Sequence, residues 1–301
     1  MTIPQLFRGI RKNLFGILIL TPALLYLAGF LLIILFKVAA LALTAAGPEG
    51  AIFPSAANFI TLAGNPEFRE ALARTVWFTL IGTPLELFIG IAAAFLVVDQ
   101  FRGRGIIRSV LVLPLAIPAI VTAIILYILF DYPGGHINDI LTGRHPFFPF
   151  QILSYPINWR GSGFFALLVS LFGKVWRDMP ISMLIILAGL QAIDRDQLEA
   201  AATLGATAFQ RFMRITLPLL TPAMATVLIL RSIELWKEFI FPFILAGSYP
   251  LLSTLIERAY HEWRNPREAS AIALILLVLI ILSTVLIFYT LKWLRKRLVR
   301  V

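Results

Sequence analysis

The chain has 301 residues, 59% hydrophobic and 14% charged, with a mean hydropathy of +0.89 and a formal net charge of +10. A soluble domain of this length needs no such composition for its core, so this is a membrane protein; apolar runs of the roughly 20 residues that a helix needs to cross hydrocarbon favour a helical bundle over a barrel. Cysteine is absent, which excludes disulfides and thiolate metal sites, and the positive charge is distributed by membrane side rather than gathered into a nucleic-acid-binding patch.

Arg8, Arg11 and Lys12 precede an apolar run from Leu14 to about Leu43. A signal peptide has an apolar core of roughly 7 to 15 residues, so this longer run reads as an uncleaved first span behind a short terminus, 1–13. The stretch AGPEGAIFPSAANFITLAGNPEF is loop with at most short helices. Span two covers about 71–98, and the linker DQFRGRG turns the chain into span three, about 106–130, where Pro114 and Pro118 are expected to introduce kinks. From Asp131 to Ser162 the text is turn-rich and too broken to span, with one short helix expected at 137–141. Span four covers about 163–190, a polar segment 191–214 follows, span five runs over about 215–246, and span six over about 269–293, leaving a tail at 295–301. His136, His145 and His261 fall in connecting segments without metal-ligand spacing.

Six spans put both termini on one side. The N-terminus, residues 99–108, the 191–214 segment and residues 292–301 carry 14 Lys or Arg, against seven (Arg69, Arg74, Arg144, Arg160, Arg258, Arg264, Arg267) in the longer opposite loops. The side with more positive charge is cytoplasmic, so the termini and the 191–214 segment belong there.

No catalytic constellation is present: the chain has no GxxxxGK[ST] phosphate loop, no HExxH, no G-x-S-x-G and no aspartate cluster suited to a metal and a diphosphate sugar. Spans four and five nevertheless carry seven ionisable residues at membrane depth, Lys174, Arg177, Asp178, Arg231, Glu234, Lys237 and Glu238. Each costs at least roughly 2.5 to 3.5 kcal/mol to insert, so such residues face a bundle interior, a partner or a water-filled path. Arg231, Glu234, Glu238 and Phe241 recur at helical spacing and share a face, flanked by Trp236 and Phe239. Two readings stay open: the opposite charges pair across two helices and brace them, or they line a transport path in which Trp236 and Phe239 offer an aromatic platform to a sugar ring; for those two aromatics simple packing is the alternative. Glu86 in span two and Tyr127 in span three are weaker candidates of the same kind. The path candidates are therefore Glu234, Trp236, Lys237, Glu238, Tyr127 and Asp178.

The segment EAAATLGATAFQRFMRITLPLL reads as helix, glycine bend at Gly205, helix. Its alanines allow close approach by another protein while Glu199 and the arginines stay solvated; the plainer reading is a polar connector. Glu199, Ala200, Ala201, Gly205, Ile215, Leu217 and Pro218 fit E-A-A-x3-G-x9-I-x-L-P without departure. This resembles the cytoplasmic coupling loop of the membrane subunits of binding-protein-dependent ABC importers. The stretch FRGRGIIRSVLVLPLAIPAIVTAIILYILF and the following GGHIND resemble the first permease of the sugar and glycerol-phosphate uptake systems, and the resemblance covers roughly 72–294. Leu204 stands where such subunits often have Asp, and SYP at 248–250 replaces a glycine-rich turn.

The resemblance implies an all-α polytopic bundle of six transmembrane helices with a cytoplasmic coupling helix, in a prokaryotic inner membrane. It further implies a transporter subunit rather than an enzyme, with no cofactor of its own, since ATP and Mg would sit in a partner ATPase. The implied partners are a second permease, two ATP-binding subunits, an extracytoplasmic solute-binding protein and membrane lipid, with no nucleic acid. The implied cargo is a carbohydrate or a related polyol or glycerol phosphate. Rival readings are an importer for a polyamine, phosphate or other solute, an ion-coupled secondary transporter using the intramembrane charges, and a membrane enzyme acting on a lipid-linked sugar.

Overall fold

Proline, asparagine and glycine decide where the apolar runs become separate helices. The computed structural model describes residues 14–47 and 50–298. The terminus 1–13, with Arg8, Arg11 and Lys12, lies outside the described residues, as do 299–301 of the tail. Helix α1 spans Leu14–Ala42. The next segment departs from the all-α expectation: β1 (Ala45–Gly47) pairs antiparallel with β2 (Gly50–Ile52), Ala45 opposite Ile52 and Ala46 opposite Ala51. Helix α2 (Ala57–Gly64) is tied back to the end of α1 by Asn58, whose Nδ2 donates to the carbonyls of Ala42 and Thr44 at 2.8 and 3.0 Å.

Helix α3 spans Pro66–Val98, opening five residues before the expected 71. The Asn65 side chain accepts from the Glu67 amide and Pro66 takes the first turn, where its missing donor costs nothing. Expected span three is two helices, α4 (Arg104–Ala116) and α5 (Ala119–Leu129), set at 94°. The cause is local: Ile117 precedes Pro118 and is held in extended backbone, so the helix stops and restarts. After α6 (His136–Leu141), the connection is organised by the buried Asn138. Its side chain donates to the carbonyls of Asp131 and Ile157 and accepts from the Ile157 amide and Trp159 Nε1.

Helix α7 (Gly163–Gln191) is followed by α8 (Arg195–Thr203), α9 (Ala208–Arg211), a π-helical turn at Phe212–Thr216, and α10 (Leu217–Trp236). Expected span five is interrupted: the backbone leaves the helix at 237–239 before α11 (Ile240–Leu245). Helices α12 (Leu252–His261) and α13 (Pro266–Leu298) complete the chain.

Inside a membrane, helix association rests on van der Waals contact and small residues rather than on expulsion of water. Helix α7 is the axis of the bundle, and glycines let it approach its neighbours. A Cβ on Gly90 of α3 would lie 2.7 Å from Ser182 Cβ and 3.0 Å from the Ser182 carbonyl carbon on α7. A Cβ on Gly173 would lie 2.5 Å from Leu126 of α5 and 2.8 Å from Phe241 of α11. Helix α1 packs on α13 and otherwise exposes apolar side chains along its length. Among the described residues four helices are long and apolar enough to cross a membrane, five if the bent α4–α5 pair counts as one. At 29 residues α7 is long enough as well, but Lys174, Arg177 and Asp178 interrupt its apolar run.

Candidate functional site

Two polar regions stand out against the apolar bundle. The first is a charge network shared by three helices. Lys174 and Asp178 are one turn apart on α7 and bond directly, and Arg177 closes on the other Asp178 oxygen. From α10, Arg231 Nη1 lies 2.9 Å from Glu234 and 3.7 Å from Asp178, while its Nε lies 3.5 Å from Glu86 of α3. Lys174 Nζ also lies 3.1 Å from Glu238 and 3.7 Å from Glu234. Asp178 and Glu234 are each shared between Lys174 and Arg231, so no pair is isolated. Glu86 and Arg231 have no exposed surface and Asp178 keeps 1%, whereas the side chains of Glu234 and Arg177 keep 29% and 26%. Pairing of this kind offsets the insertion cost of the individual charges, and it makes the removal of one partner expensive. Around it, Thr79 and Thr83 on α3 and Ser182 on α7 are buried with hydroxyls that find no hydrogen-bond partner among the described residues.

The network gathers three of the six path candidates, Asp178, Glu234 and Glu238, and recruits Glu86 from a helix far away in sequence. The other three are placed differently. Trp236 is buried in the apolar cluster with Leu252, Ala271 and Ile272, so it presents no platform to a path. Beside the break Phe239 and Phe243 stack, with ring centroids 4.9 Å apart and Phe243 half exposed. Lys237 is exposed at the helix break and makes no ion pair among the described residues. Tyr127 lies under the Arg160 guanidinium, 3.6 Å from ring centroid to Cζ, and Arg160 in turn binds Asp131. The break at 237–239 also ends the single helical face expected for Arg231 through Phe241. Glu238 is held by a different set of bonds, its Oε1 accepting from the Phe241 amide at 3.3 Å and its carbonyl from Ser253 Oγ.

The second region is the elbow formed by α8 and α9. Asp194 caps α8, its side chain accepting from the Asp196 amide at 3.0 Å. The helix ends in a Schellman arrangement: the Gly205 amide donates to Ala202 O and the Ala206 amide to Ala201 O, both at 3.0 Å, with Gly205 at φ +81°. Thr207 and Gln210 then form a reciprocal capping box that starts α9. No α8 residue is buried, and Glu199 and Ala200 are exposed. Leu204 is 88% exposed and Phe209 69%, two large apolar side chains with nothing covering them. A cleft of about 660 Å³ lined by Phe95, Asp99, Arg104, Asp194, Leu198 and Thr216 separates α8 from the 99–103 linker. Ile215, Leu217 and Pro218 are half-buried where the elbow joins α10, and Pro218 lies in the first turn of that helix. The seven fixed residues thus divide: Glu199, Ala200, Ala201 and Gly205 shape a surface, and the last three fasten it to the bundle. Phe209 occupies an unspecified position within the motif, and its residue type does not mark it in a segment that also holds Leu198, Leu204, Phe212 and Met213.

Residues 86–300 match the family described as "Binding-protein-dependent transport system inner membrane component". The trehalose/maltose transport system permease protein of Thermococcus litoralis is 34% identical over 236 residues, 76% of each chain. The sulfoquinovosyl glycerol transport system permease protein of Agrobacterium fabrum is 33% identical over 250 residues, covering 80% of this chain and 77% of that one. An inner membrane ABC transporter permease protein of Escherichia coli is 29% identical over 279 residues, 92% and 94% of the two chains. A chain in the crystal structure of a bacterial ABC transporter involved in the import of the acidic polysaccharide alginate superposes with a TM-score of 0.80 at 18% identity, covering 96% of this chain and 98% of that one, a likeness of fold.

Proposed function

The chain belongs to the family of binding-protein-dependent transport system inner membrane components, a family of transporter subunits and not of enzymes, and from that membership we propose that it is the permease of an ATP-driven importer carrying a carbohydrate into the cytoplasm. In this reading six spans cross the membrane: α1, α3, the bent α4–α5 pair, α7, α10 with α11, and α13. The 191–214 segment and both termini face the cytoplasm, as the distribution of Lys and Arg favours. The partners are a second permease, two ATP-binding subunits that hold ATP and Mg, and an external solute-binding protein; the chain itself needs no cofactor.

The observation that carries the reading is the elbow. Its backbone is fixed by a cap, a Schellman turn and a capping box, yet its outer surface leaves Leu204 and Phe209 largely uncovered among the described residues. A segment built so rigidly and left so bare fits a docking element, and the coupling role is assigned to Glu199, Ala200, Ala201, Gly205, Ile215, Leu217 and Pro218. Closure of the ATPase pair would displace the elbow, and the displacement would reach the spans as rigid-body movement only if the contacts of the elbow differ between the two states. Glu234, Glu238 and Lys237, with the Phe239–Phe243 stack, are the candidates for the cargo path. Relatives named for trehalose, maltose and sulfoquinovosyl glycerol support the carbohydrate class.

The test is Gly205→Asp in the assembled transporter. A Cβ at 205 meets nothing within 4 Å, so the substitution acts through the φ of +81°, which L side chains rarely adopt, and through the docking surface. Expected are normal membrane insertion, loss of uptake and loss of co-purification of the ATPase. Normal ATP-dependent uptake by this variant, or uptake by the isolated chain driven by an ion gradient, would overturn the reading.

A further inference from the structure

The connection between α5 and α7 carries a small hairpin that the transport reading does not use. Residues 142–155, TGRHPFFPFQILSY, contain no carboxylate. Thr142 pairs with Gln151 and His145 with Phe148 as antiparallel bridges, and the amides of Ile152 and Leu153 both donate to the Leu141 carbonyl, at 2.9 and 2.8 Å. Arg144 locks the base, with Nε 3.2 Å from the Asp139 carboxylate and Nη2 2.9 Å from the Pro133 carbonyl. This folded base holds Phe147, Phe148, Phe150, Ile152 and Tyr155 outward, from 53% to 82% exposed. Apolar residues displayed on a fixed frame mark a contact surface.

Two observations choose the occupant. Ile120, Ile124 and Ile128 recur every fourth residue along α5, all exposed, and Tyr132, also exposed, follows one step beyond and adjoins the Pro133 to which the hairpin is tied. The hairpin therefore extends the apolar outer face of a span. A face that docks and releases a soluble partner is about as apolar as ordinary protein surface. Five large apolar side chains between 147 and 155, four of them aromatic, with Arg144 and its Asp139 partner at the base, instead have the aromatic make-up of the lipid interface.

We propose that hairpin 142–155 is a wedge seated in the outer leaflet, its phenylalanines below the lipid headgroups and Arg144 level with them, fixing the depth of the outer end of α5. The leaflet rests on the six-span reading above; the contact with lipid does not.

The chain has no cysteine, so single-cysteine variants carry no background. Spin labels are placed at Phe148→Cys and, independently, at Phe150→Cys in the complete transporter in nanodiscs of phosphatidylcholine and phosphatidylglycerol. A small water-soluble nitroxide free in the same buffer serves as the water-exposed reference. Expected is a shift at 148 and 150 towards collision with oxygen over a water-soluble nickel chelate, relative to the free nitroxide. Chelate-dominated collisions at both sites, or protection from both agents as beneath a second permease or a binding protein, would overturn the wedge. Reaction of Ser154→Cys with an impermeant maleimide from the cytoplasmic side alone would overturn the leaflet and the topology, while the collision data would still report contact with lipid.

Discussion

The charge network and the elbow are both polar interruptions of an apolar chain, and they are resolved in opposite ways. In the network every charged side chain has a partner inside the same chain, and its central members are sealed from solvent. In the elbow the backbone is satisfied down to its caps, partly by side chains such as Asp194, Thr207 and Gln210, while Leu204 and Phe209 are left largely exposed. Polar residues that pair with one another are framework; polar and apolar residues displayed together on a rigid backbone are a surface waiting for another molecule. Damage to the first should therefore appear in stability, and damage to the second in function alone.

The largest effect is expected at Arg231. Arg231→Ala leaves Glu86 buried opposite nothing, and removal of one partner from such a pair costs about 3 to 5 kcal/mol; thermal unfolding in detergent should show it. The double variant Arg231→Ala with Glu86→Ala should recover part of the loss, and a double variant worse than the sum of the singles would break the contrast. Next is Gly90→Val, which forces side-chain atoms against the Ser182 backbone where α3 and α7 touch, an overpacking cost of about 1 to 3 kcal/mol. Unchanged unfolding would mean that these helices separate more readily than their packing suggests. Smaller still is Asp194→Ala, which removes the cap of α8 at about 1 kcal/mol of local helix stability. It should lower ATP-dependent uptake while leaving the unfolding of the bundle unchanged. Leu204→Ser with Phe209→Ser should not destabilise the chain at all, because neither side chain is packed, and should weaken ATPase retention in a pull-down.

Much of the elbow was legible in the sequence because its determinants are local. Gly205 at the positive-φ position, Asp194 before the helix and Thr207 with Gln210 three residues on each act within one turn. The bend at Ile117–Pro118 was legible for the same reason, though 94° exceeds a kink. The network was legible only in part. Charges at membrane depth on spans four and five announce a problem, but the solution includes Glu86, 145 positions before Arg231, and no periodicity links them. Of the two roles open to Trp236, packing is the one the structure shows: the helix break at 237–239 turns the side chain into the cluster beside α12 and α13 and leaves Phe243 half exposed against a partly buried Phe239. Span count is similar: composition alone separates α1, α3 and α13 cleanly, whereas α7 is disguised by the charges that make it the axis of the bundle.

The π-helical turn at Phe212–Thr216 has a mechanical meaning. It joins α9 to α10 without an interruption of the helix, so residues 208–236 form one rod. Phe209 and Arg231 lie 22 residues apart on it, about 33 Å at the rise of an α-helix. The bare surface and the sealed network are thus opposite ends of a single lever arm, and the wide turn near its foot is where that arm is least like an ordinary α-helix. In the coupling proposed above, a push on the elbow would arrive among the buried charges as a tilt of Arg231 and Glu234 together, against carboxylates and a lysine held by two other helices.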